Sequence, residues 1–351
     1  MFPALCFPLK TFTSLQNLHL PQNNLRVDHV FSSTELPLNA ALPYLSHRWF
    51  APCLLIVASL LGPYMADDAT WTWAVAAVLF VFMGLPHGAV DHITYHHALG
   101  RKDRRAPWRF VAPYLAGLAA FAGLFALSPT WATWMFLALA AWHFGQSHVE
   151  IRTEEWLDRV RGFALGGVLL GTLLGGNHAS AAGVMSGWMA PEAAHGLLEA
   201  LAGGTGLLKL LWTVMAALAW RRSPNAQRMS TRLLREAAWI IGMWMLASTA
   251  DLLWAFTAYF CLGHAADSWR AEFLHHQQLT KAFWTYYTWA IPFTLTALAG
   301  LAFVGVAVYQ GWMDARWGWA VLLAGTVPHM VLLDHWAPAK LRAIRVTSSA
   351  R

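Results

Sequence analysis

Residues 71–97, WTWAVAAVLFVFMGLPHGAVDHITYHH, decide the fold of this chain. Positions 71–90 contain no Asp, Glu, Lys or Arg, and most of them are aliphatic or aromatic. A helix needs about 20 mainly apolar residues to cross the hydrocarbon core of a bilayer, so the stretch predicts a transmembrane helix. It also carries His87 deep in the apolar run and Asp91 one helical turn later. Ionisable groups are rare inside spans and usually have a function.

The composition of the whole chain agrees with residence in a membrane. Of 351 residues, 57% are hydrophobic and 12% are charged, with a mean hydropathy of +0.42, whereas soluble domains are about 25% charged. These values exclude a disordered, collagen-like or disulfide-rich secreted chain. The three cysteines are too widely spaced for a disulfide framework or a metal motif. The net charge of +6 comes from basic residues scattered between apolar runs, so no nucleic-acid partner is expected.

Apolar runs recur along the chain and predict an all-α, polytopic transmembrane helical bundle of about ten spans (eight to ten). The predicted spans are 49–66, 71–97, 108–127, 130–150, 162–177, 203–220, 235–250, 251–268, 284–309 and 317–337. The long run 235–268 is divided at Asp251 into a hairpin. The Gly- and Ala-rich stretch 178–202 is interpreted as a re-entrant or surface-lying segment.

The distribution of Lys and Arg predicts the orientation of the bundle. Nearly all basic residues follow even-numbered spans, and basic loops stay in the cytoplasm, so both termini are expected to be cytoplasmic in a multi-pass protein of the cell (inner) membrane. Residues 1–46 are polar and contain several prolines, which favours a poorly ordered tail. The predicted bundle with its metal site covers 47–339, and 340–351 form a basic tail.

Four of the 16 histidines lie at one depth in even-numbered spans: His87, His143, His264 and His329. Each stands roughly 18–24 Å along its helix from the outer end, at 1.5 Å per residue, so four parallel helices bring these imidazoles to one level. Neutral imidazole binds Fe, Cu, Zn or Ni, and a site made only of histidines suits a redox ion that faces an apolar substrate. We therefore predict that all four bind a metal.

Acidic residues on the same helices are expected to bond the second ring nitrogen of these ligands and so fix their orientation. The candidates for this role are Asp91, Asp267 and Asp334, together with His92. Other histidines near span ends, including His148, His275 and His276, are expected at the membrane interface, with His148 a further candidate for contact with the ligands.

Aromatic side chains close to the predicted ligands indicate a long apolar slot. The residues that we expect to line it are Trp142, Phe144, Trp254, Phe256, Tyr259 and Phe260. Packing inside the bundle is the alternative role for the same side chains.

Four motifs together resemble the Brp/Blh family, the bacterial and archaeal β-carotene 15,15′-dioxygenases: GLPHGAVDH, WHFGQS, YFCLGH and a late PH. The resemblance covers about residues 49–340. It implies a polytopic membrane protein in which Fe(II), held by histidines, serves the central oxidative cleavage of β-carotene by O₂ into two molecules of retinal. The family's catalytic histidines correspond to His87, His143 and His264. The family pattern has a further histidine where this chain has Ser268, so the fourth ligand is either His329 or absent.

The same resemblance implies the partners of the chain. They are an apolar carotenoid substrate, O₂ and the lipid bilayer, with a retinal-binding rhodopsin in the same membrane as the expected consumer of the product. The preferred carotenoid stays open.

Two other classes of function fit part of the pattern. His92, His96 and His97 form an HxxxHH box, which is typical of di-iron membrane desaturases and hydroxylases, although the other boxes of such a site are incomplete. A non-enzymatic membrane protein that binds haem or a retinoid, or a transporter, also places ionisable groups near the middle of the bilayer.

Overall fold

The structure is a computed structural model that describes residues 49–98, 108–149, 156–276, 280 and 282–336. This part of the chain is all-helical and contains no strand, as predicted. The proposed terminal tails, 1–46 and 340–351, lie outside the described residues, and so does the side chain of Asp334.

Fifteen α-helices and two π-helical segments follow one another along the described chain. In order they are α1 (Phe50–Asp67), α2 (Ala69–Leu79), π1 (Phe80–Gly84), α3 (Leu85–Ala89), α4 (Asp91–Ala98), α5 (Trp108–Leu127), α6 (Pro129–His148), α7 (Trp156–Gly176), α8 (His178–Met185), α9 (Pro191–Arg222), α10 (Ala226–Thr249), α11 (Leu252–Thr257), π2 (Ala258–Ala265), α12 (Ala266–His275), α13 (Phe283–Thr288), α14 (Ile291–Tyr309) and α15 (Ala315–Trp336).

Four helical stretches within the described residues are long and apolar enough to cross a membrane. They are Ala69–Tyr95, Phe110–Leu127, Pro191–Arg222 and Ile291–Tyr309. The first of them joins α2, π1, α3 and the start of α4, and it contains His87. The protein therefore has the helices of a membrane protein.

The predicted break at Asp251 is present. Helix α10 ends at Thr249 and α11 begins at Leu252, and the Asp251 carboxylate accepts a hydrogen bond of 2.7 Å from the backbone N–H of Trp254. An aspartate in this position satisfies a backbone donor that has no partner inside the helix, so the polar residue in a long apolar run marks a helix start.

The region between α7 and α10 differs from the prediction. The stretch 178–202, predicted as a re-entrant or surface-lying segment, forms the short helix α8 and the first part of α9, which begins at Pro191 rather than near residue 203. Helix α10 likewise begins at Ala226 rather than 235. Hydropathy locates the apolar middle of a helix, whereas Pro191 at the first helical turn and the Asn225 cap fix where the helices start.

Helices α6 and α7 pack with their backbones in direct contact through glycines. A Cβ on Gly145 would lie 1.8 Å from the carbonyl oxygen of Gly162, and a Cβ on Gly166 would lie 1.8 Å from that of Ala141. Small residues allow such close approach between helices in membranes. This contact fixes the segment of α6 that carries His143.

A buried ionic network joins α7, α9 and α10. Arg161 donates to Asp158 Oδ1 at 2.9 Å, its Nε lies 3.6 Å from Glu236 Oε2, and the Trp212 indole donates to the same carboxylate at 3.0 Å. Arg161, Asp158 and Glu236 are each at most 2% exposed. Removing one partner of such a pair leaves an uncompensated buried charge, so the network holds the three helices in one arrangement.

Candidate metal centre

Four imidazoles meet in the interior of the bundle. The Nε2 atoms of His143 and His264 are 3.2 Å apart, and those of His87 and His329 are 3.1 Å apart. The two pairs adjoin, because the ring centroids of His87 and His264 are 5.1 Å apart and those of His143 and His329 are 5.0 Å apart. All four residues are buried. The structure thus brings together every histidine that the depth argument selected.

Two of these histidines stand on helices that change their winding. His87 lies in α3 directly after π1, and His264 lies inside π2. A π-helical turn inserts an extra residue into an α-helix and turns the side chains that follow, and such turns are frequent at functional sites. The two segments contact each other through Phe80 and Phe260, whose rings are stacked at 5.6 Å.

His329 is placed by the packing of α5 against α15. It follows Pro328, which cannot donate a backbone hydrogen bond within the helix. Helix α5 supports this point, because the Tyr114 hydroxyl donates to the Gly325 carbonyl at 2.6 Å and Gly117 leaves room for the proline ring.

The arrangement of donors fits a metal ion. His87, His143 and His264 each offer a ring nitrogen, and these atoms lie within 4.8 Å of one another. Two imidazole nitrogens on one metal at about 2.1 Å are about 3.0–3.4 Å apart, which matches the 3.1 and 3.2 Å separations of the facing Nε2 atoms. Neutral imidazole with apolar surroundings is a suitable donor for iron.

Asp91 bonds a different histidine from the one that the sequence suggested. It lies four residues after His87, but its Oδ2 is 2.7 Å from Nδ1 of His329. With Nδ1 protonated, His329 donates to Asp91 and turns its Nε2 toward the other imidazoles. A carboxylate in this position fixes the tautomer and orientation of a metal-binding histidine.

Glu272 was missed by the sequence analysis. Its Oε1 lies 3.9 Å from Nδ1 of His87, and the glutamate side chain is 12% exposed. It stands on α12, eight residues after His264 and therefore about two turns along a continuous helix. The spacing of Glu272 from His264 was the signal in the sequence that could have identified it. The residue was not considered because it lies beyond the apolar run. Each of two imidazoles thus has a carboxylate beside its Nδ1 atom.

The other predicted supporting residues lie elsewhere. Asp267 interacts electrostatically with Arg235 and Arg270, while Nδ1 of His264 has no hydrogen-bond partner in the described part of the structure. The expected hydrogen bond between Asp267 and His264 is therefore not formed, because the carboxylate faces the guanidinium groups.

His92 also points away from the four imidazoles. Its Nδ1 lies 2.9 Å from the carbonyl oxygen of Ala89, and its ring stacks on Phe293 at 4.5 Å. His92 is close to His87 in the sequence but not in the site. It follows His87 by five residues and therefore projects from another face of the helix.

Comparison with known proteins identifies the family. The family model described as Beta-carotene 15,15'-dioxygenase matches residues 78–337, which is well over half of the chain and includes all four clustered histidines. The chain belongs to this family. Searches of curated proteins and of solved structures gave no match.

Two of the histidines near predicted span ends are buried in this β-carotene dioxygenase family member, and the ring of His148 lies 6.4 Å from that of His264, as expected for a residue beside the ligands. His148 is 1% exposed, with Nε2 3.2 Å from the Tyr259 hydroxyl and its ring 3.9 Å from that of Trp239. His276 is fully buried, with Nε2 3.2 Å from the Thr94 hydroxyl. Both helix ends pack inside the bundle, which local hydropathy cannot show.

A row of aromatic rings leads away from the histidines of this dioxygenase family member. Phe256 stacks on Phe260 at 5.6 Å with an angle of 11° between the planes, and Phe260 stacks on His264 at 5.9 Å. Trp254 has a different role from the expected one, because its buried indole donates to the carbonyl oxygen of Ala58 at 3.0 Å. Phe80, Phe256 and Phe260 extend from one side of His264, and the ring of Phe144, 4.8 Å from that of His264 and 5.2 Å from that of Tyr259, adjoins it as well.

A cavity of about 420 Å³ lies at the opposite ends of the helices that carry two of the histidines. It is lined by the first turn of α6, the connection between α8 and α9, and the start of α15, where Asp314 and Arg316 lie. His329 is 13 residues beyond Arg316 on α15, which corresponds to roughly 20 Å. The cavity is thus separate from the histidine cluster.

Proposed function

We propose that this protein cleaves β-carotene, or a related carotenoid, at its central double bond with O₂ and releases two molecules of retinal. The site is a non-haem Fe(II) centre on His87, His143 and His264, with His329 as the fourth protein ligand. The observation that carries the proposal is the convergence of four buried imidazoles inside the segment that matches the dioxygenase family.

The reaction needs no further co-substrate. Both oxygen atoms of O₂ are accounted for by the two aldehyde groups, and the carbon–carbon double bond is the group that is oxidised. When bound, the iron supplies the activation of O₂ that the side chains cannot provide. The histidines hold this ion, and the surrounding bundle keeps water away from it.

Asp91 and Glu272 orient ligands and compensate charge. A centre made of neutral imidazoles carries the full charge of the metal into an apolar interior, where charge is costly. The carboxylate of Asp91 beside His329 and that of Glu272 beside His87 lower this cost from outside the ligand shell. They leave the Nε2 atoms for the metal.

Selection of one double bond among many is a positioning effect. The apolar, flat rings of Phe256 and Phe260 continue from His264 and suit a flat polyene that lies against them. The substrate reaches this row from the lipid, where a carotenoid dissolves.

We further propose that the chain crosses the inner membrane about ten times with both termini in the cytoplasm. Exposed aromatic residues at both ends of the helices support this. At the proposed outer end they are Tyr64, Trp71, Trp73, Trp131 and Trp312; at the cytoplasmic end they are Trp156, Trp220 and Trp284. Two such belts mark the two interfaces of a bilayer.

Expression of the full chain in a β-carotene-producing bacterium tests the function. We expect retinal by chromatography, loss of retinal for His87→Ala, and unchanged conversion for His195→Ala, an exposed histidine on α9. The purified protein should contain one iron per chain. Retinal formation by His87→Ala at the wild-type level would contradict the proposal, and two irons per chain would favour the di-iron alternative.

A further inference from the structure

A second cavity, of about 180 Å³, lies beside the start of α10, away from the histidine cluster. Its lining residues are Trp49, Arg228, Thr231, Arg232 and Arg235. The volume is that of about six water molecules at roughly 30 Å³ each, which is enough for a small charged group. Three guanidinium groups, a hydroxyl and an indole therefore surround one space.

Helix geometry explains why these arginines share a wall. Arg228, Arg232 and Arg235 are spaced by four and three residues on α10, and residues with this spacing lie on one face of a helix. The helix start is fixed by Asn225, whose side chain accepts a hydrogen bond of 2.8 Å from the Arg228 N–H. Trp49, at the start of α1, closes the other side of the cavity.

Three of the five described residues that line this cavity carry a guanidinium group. None of the described residues that line it is acidic. Glu236 and Asp267 interact electrostatically with Arg235 and compensate part of the charge at the inner end of the row, whereas Arg228 at the outer end is exposed. Arg232 and Arg235 are half-buried, so solvent screens their guanidinium groups less than that of the exposed Arg228.

We propose that this cavity binds a phosphate group. Guanidinium groups bind phosphate oxygens through two parallel hydrogen bonds, and the Thr231 hydroxyl adds a further donor. In the proposed orientation, the cavity lies at the cytoplasmic interface, where an anionic phospholipid presents such a group and basic pockets between helices bind it. A free phosphate ion has the same chemistry, so the experiment must separate the two sources.

The general preference for arginine on the cytoplasmic side does not account for this arrangement. That preference concerns the number of basic residues in a loop, and Arg221 and Arg222 at the end of α9 satisfy it while remaining exposed outside the cavity. They provide a matched control, because they lie at the same end of the bundle and carry the same charge.

The test compares thermal unfolding of the full chain in nanodiscs of phosphatidylcholine alone and of phosphatidylcholine with phosphatidylglycerol. We expect the anionic lipid to raise the unfolding temperature of the wild type and of Arg221→Gln/Arg222→Gln. The Arg228→Gln/Arg232→Gln variant should lose this rise, with an apparent affinity for phosphatidylglycerol about 30-fold weaker. An equal rise in both double variants, or no stabilisation of the wild type by either the anionic lipid or inorganic phosphate, would overturn the proposal.

Inorganic phosphate added to the protein in detergent distinguishes the sources. Stabilisation by phosphate that is lost in Arg228→Gln/Arg232→Gln identifies a site for the free ion, whereas stabilisation by the lipid alone identifies a headgroup site. A cooperative unfolding transition in phosphatidylcholine nanodiscs reports whether the double variant is folded. If that variant does not fold, the single change Arg228→Gln at the exposed end of the row gives the same comparison.

Discussion

Two carboxylates interact with the histidine cluster, one more strongly than the other. Asp91 Oδ2 is 2.7 Å from Nδ1 of His329, a short charge-assisted hydrogen bond, whereas Glu272 Oε1 is 3.9 Å from Nδ1 of His87. At the longer distance, Glu272 interacts with His87 through Coulomb attraction alone. Each carboxylate faces a different histidine of the cluster, so their effects on the proposed metal binding can be measured separately.

Asp91→Asn is expected to lower iron affinity about 10- to 100-fold, as is typical when the partner of a metal-binding histidine is changed. The asparagine keeps an oxygen that accepts the His329 N–H, so the change removes the charge and retains the hydrogen bond. Glu272→Gln should have a smaller effect, because its carboxylate lies at 3.9 Å. Titration of the metal-free protein with Fe(II) under anaerobic conditions measures both affinities.

Asp314→Asn serves as the control for these variants. Asp314 is exposed in the connection before α15 and its side chain accepts from the Arg316 N–H, so iron affinity should stay at the wild-type value. Wild-type affinity in Asp91→Asn would show that the aspartate does not act on the metal. A larger loss for Glu272→Gln than for Asp91→Asn would reverse the assigned order.

At the scale of the elements, the site depends on how closely helices approach. Helix α6 carries His143 between Ala141 and Gly145, and both of these positions touch the backbone of α7. On the other side of the cluster, the π-helical winding sets the directions of the side chains. It places the rings of Phe260 and His264 in the same row. Contacts between backbones therefore set the positions of ligands that are far apart in the sequence.

Gly166→Ala should separate α6 from α7. The new Cβ would lie 1.8 Å from the Ala141 carbonyl oxygen, and overpacking of this kind costs about 1–3 kcal/mol. We expect a lower unfolding temperature in detergent and a lower iron content, because His143 moves with α6. Gly175→Ala on the same helix meets nothing within 4 Å and should keep both values. Equal stability of the two variants would refute the close contact.

At the scale of the whole molecule, charged and aromatic residues are concentrated at the two ends of the helical bundle. In the proposed topology, the arginines at the end of α9 and the start of α10 lie at one end of the bundle, and the Asp314 turn between α14 and α15 lies at the other. The buried network of Arg161, Asp158 and Glu236 holds α7, α9 and α10 together. The orientation of the whole bundle can therefore be tested at the α9–α10 and α14–α15 connections.

Single cysteines test this topology in intact cells. Asp314→Cys, in the α14–α15 connection, should react with a membrane-impermeant thiol reagent from outside. Ser223→Cys, in the α9–α10 connection, should react only after the membrane is permeabilised. The wild type gives the background from native cysteines. Reaction of both variants from the same side would contradict the odd number of spans, three, that the proposed topology places between these two connections.

The sequence by itself determined the all-helical class, the helix break at Asp251 and the four clustered histidines. Apolar runs of membrane length and a polar break at Asp251 are local properties, and the depth of a histidine follows from its count along the helix. Only the tertiary structure decided the partners: Asp91 bonds His329 rather than His87, Glu272 approaches His87, and His148 is buried. Which face of a helix meets which neighbour depends on π-helical turns and on backbone contacts between distant segments. No local pattern in the chain contains that information.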